Sequence, residues 1–160
     1  MESRAKFLGH PAHQMLIVFP LGLLATAVIF DVIYLAGGGE TMALVAYWMI
    51  AAGIIGGFVA APFGWIDWLA IPPGTRAKSV GLWHGSGNTI VLLLFIASWL
   101  LRRDVPERPE ALAFALSFAG AGLALFTGWL GGELVDRLSV GVDDGAHPNA
   151  PSSLSRRHAH

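Results

Sequence analysis

Four stretches of the chain carry no formal charge: those between Lys6 and Asp31, between Glu40 and Asp67, between Lys78 and Arg102, and between Glu110 and Glu133. A helix needs roughly 20 apolar residues to cross a hydrocarbon layer about 30 Å thick. Each stretch clears that length, and none shows the every-other-position alternation of a barrel strand. The pattern predicts helices over 13–36, 42–70, 80–101 and 110–135. The connectors agree: Gly37-Gly38-Gly39-Glu40 breaks a helix, Ile71-Pro72-Pro73-Gly74-Thr75 is a turn, and Pro109 is placed to open the last span. From Leu138 the periodicity stops, and Asp143, Asp144, Pro148, Pro151 and Ser152-Ser153 read as a flexible tail. The expected architecture is all-α, an integral membrane four-helix bundle over residues 1–137 with a disordered tail over 138–160.

Composition strengthens that reading. Of 160 residues, 54% are apolar and only 13% charged, about half the share a soluble domain carries. A net charge of −1 excludes a basic nucleic-acid footprint. Without cysteine there is no disulfide and no thiolate metal site. Arg4, Lys6, Arg76, Lys78, Arg137, Arg156 and Arg157 fall on one side of a four-span chain; only Arg102, Arg103 and Arg108 fall on the other. That imbalance predicts both termini on the cytoplasmic side of a bacterial inner membrane. Aromatic residues mark both borders, with Trp65, Trp68, Trp83 and Trp129 inside and Tyr34, Tyr47, Trp48 and Trp99 outside. Arg4, Lys6 and Ala25-Thr26-Ala27 imitate a signal peptide, but the polar residues ahead of Leu16 argue for a retained span.

The strongly polar residues of the spans gather at one level. His10 and His13 open the first helix, Asp67 closes the second, His84 and Asn88 stand one turn apart near the start of the third, and Glu133 closes the fourth. The first and third helices run the same way, so His13 and His84 fall at similar depth. Polar groups at such depth face a bundle interior or each other. Imidazole is a common metal ligand. Two histidines from facing helices suit a haem iron; three with Asp67 or Glu133 suit zinc, manganese or iron. Asn88 or Asp67 would then orient an imidazole. A cofactor-free scaffold remains open beside these two readings. His147, His158 and His160 lie in the tail and receive no role.

Small residues recur along two helices: Gly53, Gly57, Ala60, Ala61 and Gly64 in the second, Gly120, Ala124, Gly128 and Gly132 in the fourth. They either let helices approach closely or leave a slot for a flat macrocycle. A bulky substitution at Gly128 is expected to do harm on both readings. Pro20 and Pro62 are expected to bend their helices. Asp31, five helical turns beyond His13 and so about 27 Å away along one helix face, is expected to pair with Arg102 or Arg103, to cap a helix, or to join a proton path. No activated nucleophile and no phosphate-cradling loop marks an independent enzyme, and the spans lack the lining of a wet pore.

The string Gly9-His10-Pro11-Ala12-His13-Gln14-Met15-Leu16-Ile17-Val18-Phe19-Pro20-Leu21-Gly22-Leu23 resembles the opening of a bacterial family called domain of unknown function 2231. Gly64-Trp65-Ile66-Asp67-Trp68, His84 with Asn88, and Gly131-Gly132-Glu133-Leu134-Val135 followed by Val140-Gly141-Val142 resemble its later landmarks, so the likeness covers about 9–142. Gln14 stands where a second proline is usual, and Glu133 where a histidine often follows the glycine pair. The resemblance implies a four-helix membrane protein. Some relatives are joined to Rieske or cytochrome-type domains, which implies redox company. On this footing the expected module binds a b-type haem through His13 and His84, with His10 beside them, and exchanges electrons with a partner. A homo-oligomer remains open.

Overall fold

A computed structural model describes residues 1–155; Arg156, Arg157, His158 and His160 lie outside the described residues. The first span is Ala12–Gly38, built from α1 (Ala12–Leu16), α2 (Val18–Ile33) and a wider π turn over Tyr34–Gly38. The helix steps at Ile17 because Pro20 has no amide to give the Leu16 carbonyl. Next come α3 (Glu40–Ala70), α4 (Arg76–Arg102) and α5 (Ala111–Gly132), the last running into a second π turn over Glu133–Arg137. All four spans are long and apolar enough to cross a membrane. With four crossings, the first and last spans begin and finish at the same end of the bundle.

Helix boundaries depart from expectation where charge meets the interface. The third span starts at Arg76 rather than near residue 80, because Thr75 caps it by accepting from the Lys78 amide at 3.2 Å. Lys78 turns back, donating to the Trp68 carbonyl at 2.7 Å with its ammonium 4.0 Å above the Trp68 ring. Hydrophobicity alone could not include that charged first turn.

α3 lies along α2, and α5 along α4. These two hairpins then meet through α3 against α4 and, less closely, α2 against α5. Leu24, Ala27, Ala46, Ile50, Ile54, Val91 and Phe95 form the shared core. Large apolar side chains such as Ile55, Leu93 and Leu125 point outward, as a bilayer permits and water would not. Trp48, Trp65, Trp83 and Trp129 are exposed in the manner of an interfacial belt. Tyr47 and Trp99 are not part of it: they stack on each other at 5.5 Å, and Tyr47 is buried.

The glycine stripes serve packing. An added Cβ would strike Leu24 at Gly53, Leu92 at Gly57, Phe95 at Gly120, and a histidine ring at Gly64 and Gly131. Protein side chains therefore fill the hollows at these five glycines, which serve helix packing and the seating of the two imidazoles. Gly128 and Gly132 face open space, so the harm expected of a bulky residue at Gly128 is corrected: nothing stands within 4 Å of its added Cβ.

At the end where the first span begins, Lys6–Phe7 and His10–Pro11 pair as a minimal antiparallel hairpin (β1 and β2), turned by Leu8 and Gly9 at positive φ. Strands this short carry no alternation for sequence to reveal. Beyond Leu138 the described residues form turns without helix or strand. The start of that tail is nonetheless tied down: the Met1 ammonium donates to the Ser139 carbonyl at 2.8 Å, and the Gly141 amide to the Met1 carbonyl at 3.0 Å.

Candidate functional site

His13 stands on the first turn of α1, where Pro11 has just turned the chain from β2 into helix. Its ring lies against Gly64 of α3, where a Cβ would come within 2.9 Å of it, and Nδ1 is 3.0 Å from the Ala60 carbonyl. A carbonyl only accepts, so Nδ1 carries the proton and the lone pair of the neutral ring is on Nε2. His84, in the third turn of α4, repeats the arrangement against α5. Its Nδ1 donates to the Thr127 carbonyl at 2.9 Å, and a Cβ on Gly131 would meet the ring at 3.0 Å. Each glycine is thus the hollow that admits an imidazole to the neighbouring helix backbone.

The two rings face each other across the join between the hairpins, with centroids 6.4 Å apart and planes at 87°. Asn88 supports one of them. Its Oδ1 accepts from Thr127 Oγ1 at 2.9 Å, and its amide donates to the His84 carbonyl at 3.0 Å. The same amide nitrogen lies 3.5 and 3.2 Å from the two ring nitrogens. The shorter of these, to Nε2, is within hydrogen-bond distance, so with Nδ1 given to Thr127 the Asn88 amide is the neighbour of the Nε2 lone pair. Thr127, itself buried, closes a small cycle with His84 and Asn88.

The other expected site residues are elsewhere. His10 is exposed on β2, its Nε2 3.2 Å from Ser153 Oγ. Asp67 is buried but occupied: it accepts from Ser3 Oγ at 2.7 and 2.8 Å, from the Arg4 amide at 2.7 Å and from the Ala5 amide at 3.3 Å. It anchors the amino-terminal segment rather than orienting an imidazole. Glu133 pairs with Arg76 at 2.6 Å. No group of three or more His, Cys, Asp or Glu among the described residues is disposed to hold a metal ion. His13, His84 and Asn88 come together; His10, Asp67 and Glu133 do not join them.

A second polar cluster occupies the opposite end. Asp31 and Arg102 are fully buried and form a two-pronged ion pair, Nη1 to Oδ1 at 2.6 Å and Nη2 to Oδ2 at 2.8 Å. Of the partners expected for Asp31, Arg102 is the one taken. Ser117 Oγ donates to Asp31 Oδ2 at 3.0 Å, Arg102 Nε donates to Ser98 Oγ at 3.2 Å, and Ser98 Oγ donates to the Ala113 carbonyl at 2.7 Å.

Sequence reasoning placed Ala60 and Gly64 in a small-residue stripe and Gly131 in a family landmark without linking them to the imidazoles, and it overlooked Thr127 and the serines beside Asp31. A usable signal was present. His13 and Asp31 recur, at one constant spacing, as His84 and Arg102; Gly53, Ala60 and Gly64 recur, at a slightly shorter one, as Gly120, Thr127 and Gly131. The second hairpin repeats the first.

Fold and site together define a four-span membrane protein made of two similar helical hairpins that bring one histidine each to a common level. The chain belongs to the family described as predicted membrane protein DUF2231, whose sequence profile matches residues 9–144. Neither the curated proteins nor the solved structures provide a match.

Proposed function

We propose that the protein is a redox module of the bacterial cytoplasmic membrane, holding one b-type haem between His13 and His84. The observation that carries this reading is the donor set: two imidazoles, one from each hairpin, each with Nδ1 tied to a backbone carbonyl; Nε2 of His13 is left to coordinate, and Nε2 of His84 would exchange the Asn88 amide at 3.2 Å for the iron. Such an outer hydrogen bond is the usual partner of a metal-binding histidine. Two metal–nitrogen bonds of about 2.0–2.1 Å plus the ring radii bring imidazole centroids to about 6 Å, close to the 6.4 Å found. A bare zinc or manganese ion would want three or four protein ligands, whereas a haem iron would be held by His13 and His84 alone. The residues present fit a haem iron better than an isolated metal ion.

A bound haem would supply one-electron transfer between a donor and an acceptor. The chain's residues contribute geometry. Ala60 and Thr127 fix the ring tautomers, Gly64 and Gly131 admit the rings, and Asn88 holds the His84 ring in its rotamer. The apolar core above the pair keeps bulk water away. The basic residues at the same end support a cytoplasmic location for the site through the positive-inside rule. A Rieske- or cytochrome-type protein is the fitting redox partner.

The test is a pair of absorption spectra, oxidised and dithionite-reduced, on detergent-purified protein expressed with haem available. A sharp reduced α-band absent from His13→Ala and His84→Ala is the expected result. A colourless wild type carrying stoichiometric zinc, manganese or iron would replace the haem with another metal. A colourless, metal-free protein would leave a membrane scaffold.

A further inference from the structure

The two hairpins correspond position by position. Between α1–α2 and α4 a single offset matches His13 with His84, Leu24 with Phe95, Ala27 with Ser98 and Asp31 with Arg102. Between α3 and α5 another single offset matches Ala46 with Ala113, Tyr47 with Phe114, Gly53 with Gly120, Ala60 with Thr127 and Gly64 with Gly131. Contacts obey the same rule. Gly53 is the hollow for Leu24, and Gly120 the hollow for Phe95; Gly64 receives His13, and Gly131 receives His84. The imidazoles bond to Ala60 and Thr127, again equivalents. The first helices of the two hairpins run in the same direction, so the halves are parallel repeats about an axis along the bundle.

Under a two-fold relation, a residue can touch its own equivalent only at the axis. Among the described residues His13 meets His84 in this way, and Asp31 meets Arg102. They mark the two ends of one axis, about 27 Å apart by helical rise. The Asp31–Arg102 pair is also the point where the repeat departs most from itself, with opposite charges in equivalent places. Two identical halves would bring carboxylate to carboxylate or guanidinium to guanidinium at that spot. Only unlike halves satisfy it.

We propose that Asp31 and Arg102 are positioning residues for the histidine pair. Their ion pair pins the first hairpin to the second in one register and so sets the spacing of His13 and His84 at the far end. It also rejects association of like halves from two copies. Buried ion pairs are poor sources of net stability, but in some proteins buried polar groups select register and partner. The neighbours suit that role: Ser98 and Ser117 saturate the remaining groups, so neither charge has an alternative arrangement. This inference shares the histidine pair with the haem reading but concerns spacing in the protein itself.

The chain has no cysteine, which permits a clean measurement. Cysteines replace both histidines (His13→Cys with His84→Cys), and a short bifunctional thiol reagent reads their proximity in detergent-purified, haem-free protein. Asp31→Arg alone and Arg102→Asp alone should slow cross-linking by about tenfold or more, since like charges now meet at the axis. The combined Asp31→Arg/Arg102→Asp chain restores the pair with reversed polarity and should return the rate to within about twofold. Single variants that cross-link like the parent, or a double reversal that stays slow, would overturn the proposal. Should the single reversals not fold, Asp31→Leu/Arg102→Met decides: it removes the pin without burying a charge. Slower or heterogeneous cross-linking supports the pin, and an unchanged rate rejects it. Spectra of the same axis variants with native histidines keep the two readings apart, because a haem-free wild type would sink the haem while leaving the cross-linking result intact.

Discussion

The two ends of the bundle axis hold polar residues of the same origin in opposite chemical states. At one end the Asp31–Arg102 pair is buried and answered: carboxylate by guanidinium and Ser117, guanidinium by Ser98 and carboxylate. At the His13–His84 end the rings are fixed by one nitrogen each, half-buried, and too far apart to bond to one another. A saturated cluster has nothing left to offer a ligand. The histidine pair has more to offer: Nε2 of His13 is in reserve, and Nε2 of His84 meets the Asn88 amide alone. Intramembrane polarity alone does not separate a packing cluster from a candidate ligand site.

The largest effect should come from breaking the saturated end. Arg102→Met leaves Asp31 buried without its partner and should cost about 3–5 kcal/mol, read from denaturant titration in detergent. Removing both charges in Asp31→Leu/Arg102→Met should recover most of that loss. A single variant as stable as wild type would mean that the cluster is wetter than its burial indicates. At the histidine end, Gly131→Ala drives a methyl into the His84 ring and should cost about 1–3 kcal/mol while displacing that ring. Gly128→Ala, one turn away but facing outward, should equal or exceed wild type by up to about 1 kcal/mol, the helix preference for alanine. Equal losses at both positions would contradict the packing described.

A smaller effect is expected at Asp67, whose removal should free the amino-terminal segment rather than touch the histidines. Asp67→Ala should cost about 1–2 kcal/mol by leaving the Arg4 and Ala5 amides unanswered, while the Ser3 hydroxyl keeps the Ala5 carbonyl. Its signature is faster proteolysis before residue 10, with the ring environments unchanged. The smallest concerns Glu2, whose carboxyl the neighbouring Lys6 ammonium holds below its ordinary value. A lowered carboxylate pKa contributes to the folded state at neutral pH, and that contribution fades as pH falls through the lowered value. The protection factor of the Asp144 amide, which donates to Glu2, should fall on acidification and lose that pH dependence in Glu2→Gln.

The spans were legible because charge is so costly in a bilayer that its absence marks them. Depth was legible too, and it brought His13 and His84 to one level. What depth cannot give is rotation. Asp67 shares that level but turns to backbone amides of Arg4 and Ala5, partners that no residue spacing announces. His10 stayed outside because the chain forms a minimal hairpin before the helix begins. The stripe through Gly120 and Gly128 failed for a simpler reason: steps of four drift about 40° each on an α-helix. Gly128 has therefore left the packed face, which continues through Thr127 and Gly131. The internal repeat went unread because it survives at axis and packing positions while lipid-facing residues vary freely.

The most direct measurement is a haem titration into detergent-purified, haem-free protein, followed at the Soret band. Saturation at one haem per chain with a six-coordinate low-spin spectrum, weakened to a five-coordinate form or lost in His13→Ala and His84→Ala, is the predicted result. Haem uptake that never saturates, or a spectrum unchanged when both histidines are replaced, would contradict the central claim.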